Sequence, residues 1–418
     1  MSVEEQVMQS DADQAAADAG ARRSARVKEL RRRRLGRLPE IDWALLFCVL
    51  LLLGFGFVMV SSASMSIADR MFGAPFHFVT RHALALGIAL SAGTLVFLVP
   101  IEWWEKSGTT LFFIGLVLLV LVLVPGIGRT VNGATRWIPL GPLNIQSSEL
   151  MKFFAVIYVA GYLVRRHEEV ATRLSGFLNP MLLMVVASAL IMRQPDFGTT
   201  AVLLATVLGM LFLGGVQVTH FAALFGMLAT AAVMLVVLEP YRLQRVTSFM
   251  DPWADPFNTG FQLSQALIAF GRGEWLGVGL GNGIQKQFFL PEAHTDFLMA
   301  VVGEEFGLAG TLAVIAAFGF FVWRALSIGA RAERAGWWFA TYAAHGFGLG
   351  IGLQALINIG VNVGLLPTKG LTLPFMSYGS NSLIVACMAV GLLLRIDLDL
   401  KLKAAGTEPV RGMKWARA

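Results

Sequence analysis

The sequence predicts an all-α polytopic membrane protein with about ten transmembrane helices. Three observations predict it. Charged residues make up only 14% of the chain and hydrophobic ones 56%, against about 25% charged in a soluble domain. Mean hydropathy is +0.67. Apolar runs of membrane-crossing length recur from residue 43 onward, separated by short polar turns.

Residues 1–20 hold five acids and no base, and residues 21–40 hold nine bases against Glu29 and Glu40. With no apolar period, residues 1–40 are expected to be a disordered cytoplasmic tail. Such a basic run could bind nucleic acid or anionic lipid. Lying directly before the first span, it reads more simply as a topology signal, and no nucleic-acid partner is expected. The first apolar run is too long for a cleavable signal peptide, and no small-residue cleavage site follows it.

At about 20 residues per crossing, spans are expected at 43–63, 81–101, 108–125, 148–164, 180–195, 198–215, 220–239, 297–323, 337–360 and 378–396. The break between the fifth and sixth, Arg193-Gln-Pro-Asp-Phe-Gly198, carries polar groups that a span tolerates only where protein or water satisfies them. It reads as a tight hairpin facing the same side as Asp296. Bases concentrate in the tail, at Arg165, Arg166 and Arg173, at Arg324, Arg331 and Arg334, and after Arg395. That bias places both termini inside (N-in/C-in) and Asp296 outside. Residues 41–397 form the transmembrane domain and 398–418 a cytoplasmic tail.

The longest outer segment, 240–296, joins helices 7 and 8, and long loops are usually functional. Its glycine-rich part, Gly271 to Gly283, suggests backbone packed closely against helices. The loop 361–377 is apolar around Lys369 and should dip into the bundle or the lipid surface. Cys48 and Cys387 lie in apolar runs and read as small core residues. Trp43, Trp103, Trp104, Trp337 and Trp338 are expected to anchor at the membrane interfaces. The inverted repeats common in secondary transporters are not visible.

Ionisable residues in or beside spans mark candidate chemistry. Asp296 stands where FFLPEAHTDFLMAVVGEEFGLAG turns from polar to apolar, and general acid–base work needs a carboxylate so placed. The plainer reading is that Asp296 caps the following helix. Glu149 and Lys152, three apart, share one helical face, either lining a wet cavity or forming a self-neutralising structural pair. Asp196 is a further candidate or a helix cap. Outer-side bases Arg129, Arg136, Arg242, Arg245, Lys286 and Lys369 suit a pyrophosphate or anionic headgroup. Singly, each is as well explained as a snorkelling surface residue. Gln265 and His294 join Arg136 as candidates for substrate contact. His294 with Glu292 and Asp296 lacks a closed ligand spacing, so no structural metal is expected. No tightly bound cofactor is expected either. A magnesium or manganese ion escorting a pyrophosphate needs only one or two carboxylates.

LPEAHTDF followed by GEEFGLAG, QSSELMK, QPDFGT and GLLPTKGLTLPFMSYG together resemble the SEDS family of peptidoglycan glycosyltransferases, over about residues 40–396. The loop with Lys369 and the charged tail are most similar to the division branch rather than the rod-shape branch. The resemblance implies that Asp296 is the essential catalytic carboxylate, with Glu149 and Lys152 as the charged pair of a central cavity. It makes Lys369 and the loop around Ser377 a functionally sensitive outer loop. It further implies polymerisation of lipid II onto a nascent glycan strand during septal wall synthesis in the bacterial inner membrane. The implied partners are a class B penicillin-binding transpeptidase and other division proteins. The alternatives are a lipid II flippase, the elongation-type polymerase, or a scaffold. Where the family usually reads SYGGSSL, this chain has Ser377-Tyr-Gly-Ser-Asn-Ser-Leu383. If the replaced glycine has positive φ, Ser380 would strain that turn.

Overall fold

The structure is a computed structural model that describes residues 41–131, 133–140, 143–238, 249–258, 260–367 and 370–405. The tail 1–40, Arg242, Arg245 and Lys369 lie outside the described residues. Among those described, ten long helices overlap the ten expected spans. They are α1 (Trp43–Phe72), α2 (His77–Leu98), α3 (Ile101–Leu123), α4 (Ser147–Arg165), α6 (Leu174–Arg193), α7 (Phe197–Leu213), α8 (Val218–Val237), α10 (Leu298–Arg334), α11 (Trp338–Asn362) and α12 (Ser380–Ala404). Two shorter ones are α5 (His167–Thr172) and α9 (Phe261–Gly273). By length and composition, α1, α2, α3, α4, α6, α10 and α11 can each cross a membrane. The protein is a polytopic helical membrane protein.

Residues 44–396 pack as one compact unit. At its centre stands α4, buried from Met151 to Leu163 apart from Lys152, which is partly exposed. On α10, buried Thr311, Val314, Phe318, Phe321, Ala325 and Ile328 alternate by three and four, which gives one protein-facing stripe. Leu308, Leu312, Ile315 and Trp323 on its other faces are exposed, as lipid-facing residues are. Gly348 and Gly352 of α11 sit four apart against Ala325 and Val322 of α10. Small residues at that spacing let two membrane helices approach closely.

Four features depart from the sequence reading. Residues 129–146, expected as a loop, form an antiparallel sheet in the order β1 (Arg129–Val131), β2 (Ala134–Leu140), β3 (Leu143–Gln146). Trp104 is not an interface anchor: it is 6% exposed and meets the Phe153 ring edge-on at 5.6 Å. Ser380 does not strain its turn, because it opens α12 and has no positive φ. Asn381 donates to the main-chain oxygen of Asn144 at 2.8 Å, which ties α12 to the strand β3. Also, α12 runs past the expected end at 396 to Ala404, with an Asp397–Lys401 ion pair one turn apart at 2.7 Å.

Two irregular segments enter the bundle, and each solves the problem of polar backbone at depth. Gly307 (φ 64°) breaks α10. The groups freed by the break are satisfied from 274–279: Val278 and Gly279 donate to the oxygens of Glu304 and Glu305, and Leu308 and Ala309 donate to those of Glu274 and Trp275. Non-helical backbone at membrane depth is tolerated only when protein satisfies it in this way. Gly277 (φ 80°) must be glycine, since a Cβ there would lie 2.2 Å from the Glu305 oxygen. The apolar loop does dip inward. Leu371, Leu373, Phe375 and Met376 are buried, with Phe375 against the rings of Phe318 and Phe321 and Met376 against Gly56 of α1.

Candidate functional site

One end of the bundle gathers most of the polar side chains. The tight α6–α7 turn, Gln194 to Asp196, is there as expected, and Arg136 on β2 clamps it. Its Nε donates to the Gln194 oxygen at 2.8 Å and its Nη2 to the Pro195 oxygen at 2.6 Å. Asp196 is the cap of α7. It accepts from the Thr199 amide at 3.2 Å, and also from Ser148 Oγ at 3.0 Å and Gln146 Nε2 at 3.2 Å. The capping explanation is therefore right for Asp196.

It is wrong for Asp296. The residue before α10 is Phe297, and no side chain of its own segment caps that helix. Instead Asn362, at the end of α11, accepts from the first-turn amide of Ala300 at 3.1 Å. Asp296 is half-buried, with Oδ2 3.1 Å from where a Cβ on Gly370 would stand. Among the described residues its carboxylate accepts no hydrogen bond. Its main-chain oxygen, by contrast, accepts from both Asn358 Nδ2 and Asn362 Nδ2 at 2.9 Å. Burial raises the Asp296 carboxyl from its usual 3.8 to about 7. The charge of Glu292 adds to the rise, Arg136 opposes it, and Asp196 adds a smaller push.

A pocket opens between α4, α7, α11 and α12, with about 520 Å³ of atom-free space. Glu149 and Lys152 lie on its wall as an ion pair at 2.9 Å. Lys152 Nζ also donates to Gln354 Oε1 at 2.6 Å, and Gln354 Nε2 donates to the Thr372 oxygen at 3.0 Å and to Ser382 at 3.1 Å. The remaining wall is mostly apolar, including Phe153, Val202, Phe347 and Pro374. That combination suits a charged headgroup at one point and hydrocarbon elsewhere.

The other candidates are placed differently. The His294 ring packs among Phe78 and Tyr378, at centroid distances of 4.8 and 5.5 Å, and its Nδ1 has no partner. Burial lowers its pKa, with Glu292 opposing. Ser377 Oγ accepts from the Leu373 amide at 3.0 Å and braces the re-entrant loop from within. Gln265 sits half-buried on α9, and the structure shows no bond from it to Asp296. Lys286 is not a free outer base. It pairs with Glu305 at 2.5 Å and donates to Ser62 at 2.6 Å, while Glu304 pairs with Arg272 at 2.9 Å.

Sequence reading missed Gln354, Asn358 and Asn362. Their signal was there: three amides four residues apart, hence on one face of an otherwise apolar helix. It also passed over Glu304 and Glu305 as ligands of Arg272 and Lys286.

Residues 42–402 match the cell cycle protein family that groups FtsW, RodA and SpoVE, and the chain belongs to that family. It is 61% identical to the probable peptidoglycan glycosyltransferase FtsW of Allochromatium vinosum, over 92% of this chain and 96% of that one. It is 54% identical to the protein of the same description from Nitrosococcus halophilus, over 90% and 97%. Among solved structures it is similar to a chain of a peptidoglycan synthase complex described as coordinating polymerization and crosslinking. That TM-score is 0.71 at 29% identity, covering 86% of this chain and 98% of the other. The rod shape determining protein RodA of Thermus thermophilus gives 0.63 at 28%, covering 86% and 97%.

Proposed function

We propose that this protein is a peptidoglycan glycosyltransferase that polymerises lipid II on the outer face of the bacterial inner membrane during septal wall synthesis, with Asp296 as general base. The observation that carries the reading is a carboxylate at the mouth of the bundle that is not consumed by capping, is not paired among the described residues, and is held near pH 7 by burial. A general base works best with a pKa near the operating pH. The name FtsW shared by relatives at 50–61% identity favours the division role over elongation.

In this reading Asp296 takes the proton from the 4-hydroxyl of the acceptor's terminal N-acetylglucosamine. The oxygen attacks the anomeric carbon of the lipid-linked donor, a new glycosidic bond forms, and undecaprenyl pyrophosphate leaves with the bonding pair. Arg136, within electrostatic reach of Asp296, offsets phosphate charge, the Lys152–Glu149 pair orients a charged group of the substrate, and the apolar wall of the pocket takes hydrocarbon. Positioning and charge compensation supply most of the acceleration. Lys369 belongs to the same proposal as an outer-loop contact for the phosphates. A magnesium or manganese ion accompanying the pyrophosphate would take its oxygens and a carboxylate such as Glu292. Among the described residues no set of three His, Cys, Asp or Glu is gathered for a metal. A class B penicillin-binding transpeptidase is the proposed partner, supported by the likeness to a chain of a synthase complex that couples polymerization with crosslinking.

The test is polymerisation of lipid II by the purified protein with its partner in detergent, where no leaflets exist. Polymer that vanishes in Asp296→Asn supports the enzyme. No polymer from the wild type, together with lipid II translocation in vesicles, would establish a flippase instead.

A further inference from the structure

We infer that Asn362 caps α10 from the neighbouring helix and thereby leaves the Asp296 carboxylate free to act, which makes Asn362 a positioning residue for Asp296. The inference rests on Asp296 being the base.

A helix start leaves several amides without intrahelical partners, and Asp in the preceding turn is among the side chains best suited to accept from them. Asp196 does this for α7 from one residue before it. Asp296 stands two residues before α10 and would be expected to do the same, yet the Ala300 amide is shared between the Phe297 oxygen of its own turn at 3.0 Å and Asn362 Oδ1 at 3.1 Å. The same amide group faces Asp296 from its other side. Asn362 Nδ2 donates to the Asp296 main-chain oxygen at 2.9 Å and to the Asn358 oxygen at 2.9 Å. Asn358 Nδ2 donates to the Asp296 oxygen and to the Leu371 oxygen. Both asparagines are nearly inaccessible, Asn358 at 2% and Asn362 at 0%. Every hydrogen on the two amides is thus committed, and both fix the backbone of one residue. One side chain occupies the capping position while its neighbour on the same face helps hold the carbonyl.

The consequence for the carboxylate has a definite sign. A carboxylate that accepts backbone N–H groups is stabilised in its charged form, and its pKa falls. Without Asn362, the first turn of α10 loses its one side-chain acceptor among the described residues, and the Asp296 carboxylate turns inward to accept from those amides and is lost as a base. The charged groups acting on Asp296 are Glu292 from its own segment, Arg136 from β2 and Asp196 from the α6–α7 turn. His294, on its own segment, packs away among aromatic rings. At this end α11 contributes amides and no acid or base, so replacing Asn362 changes hydrogen bonding without removing a charge.

The experiment compares wild type, Asn362→Leu, Asn358→Leu and Asp296→Asn as full-length protein with the transpeptidase partner. It measures kcat and KM for lipid II polymerisation across pH, with thermal unfolding of each variant alongside. Leucine keeps the branched heavy-atom skeleton of asparagine and removes its hydrogen bonds, and the unfolding curves report any strain from its larger methyls. The expected result for Asn362→Leu is a kcat reduced about 100-fold, the scale of a misplaced catalytic group, with KM changed less than threefold. Its acid limb should move at least one pH unit below that of wild type. Asn358→Leu, which leaves the cap in place, should lower kcat without moving the limb. A wild-type kcat in Asn362→Leu, an unmoved limb, or an equal shift in Asn358→Leu overturns the inference. Loss of activity that merely follows a fall in melting temperature, with the limb unmoved, also overturns it. An active Asp296→Asn sinks the reading beneath. An inactive Asp296→Asn beside a wild-type-like Asn362→Leu sinks only the capping inference.

Discussion

Asp196 and Asp296 both precede helices at the same end of the bundle, and they use their carboxylates in opposite ways. Asp196 accepts from Thr199, Ser148 and Gln146, whereas Asp296 lies close enough to feel that charge and accepts nothing among the described residues. Replacement should separate the two. Asp196→Ala is expected to cost about 1–2 kcal/mol as a lost cap, read as a lower melting temperature with residual polymerisation. Asp296→Asn should not lower the melting temperature and should reduce polymer formation by 100-fold or more, the usual scale of a removed general base.

The pH profile of kcat/KM should show an acid limb near 7, since a base acts in its ionised form and Asp296 is held at about 7. Glu292 raises that value and Arg136 lowers it. Glu292→Gln should therefore move the limb to lower pH and Arg136→Gln to higher pH. A limb that stays put in both variants would assign it to another group.

The same raised pKa has a stability consequence with a definite sign. Folded Asp296 binds its proton more tightly than the unfolded chain does, so its contribution is fully present below the unfolded value near 4 and lost as pH rises through about 7. Asp296→Asn should consequently melt higher than wild type at pH 8, and that advantage should be much smaller at pH 5. Paired melting curves at the two pH values check it.

Lys286 and Glu305 form a pair with side-chain exposures of 5% and 0%. Lys286→Met strands a buried carboxylate and should destabilise by about 3–5 kcal/mol, while the double replacement Lys286→Met with Glu305→Leu should recover much of that. Detergent unfolding of the two variants distinguishes a structural pair from a lone lysine held for substrate.

The helices were legible because lipid imposes length and apolarity on a crossing: each expected span overlaps a helix, and seven of these are long and apolar enough to cross a membrane. The α6–α7 hairpin and the inward dip of the apolar loop were legible for the same reason: polar or apolar residues out of place need a protein partner. The sheet was not, because strands of three, seven and four residues carry too little alternation, and β2 contains a proline. Whether Asp296 caps α10 stayed open in the sequence because the side chain that does so, Asn362, lies 66 residues further along. A local pattern cannot reveal a partner that only packing brings near. The amide row on α11 had the spacing of a helical face, but its targets are main-chain oxygens, which a sequence does not display.

The break at Gly307 divides α10 into two mechanical parts. Residues 274–279 grip both parts across the break, taking up the Glu304 and Glu305 oxygens on one side and the Leu308 and Ala309 amides on the other. A change in tilt of the longer rod therefore meets this clasp before it reaches the turn that carries Asp296.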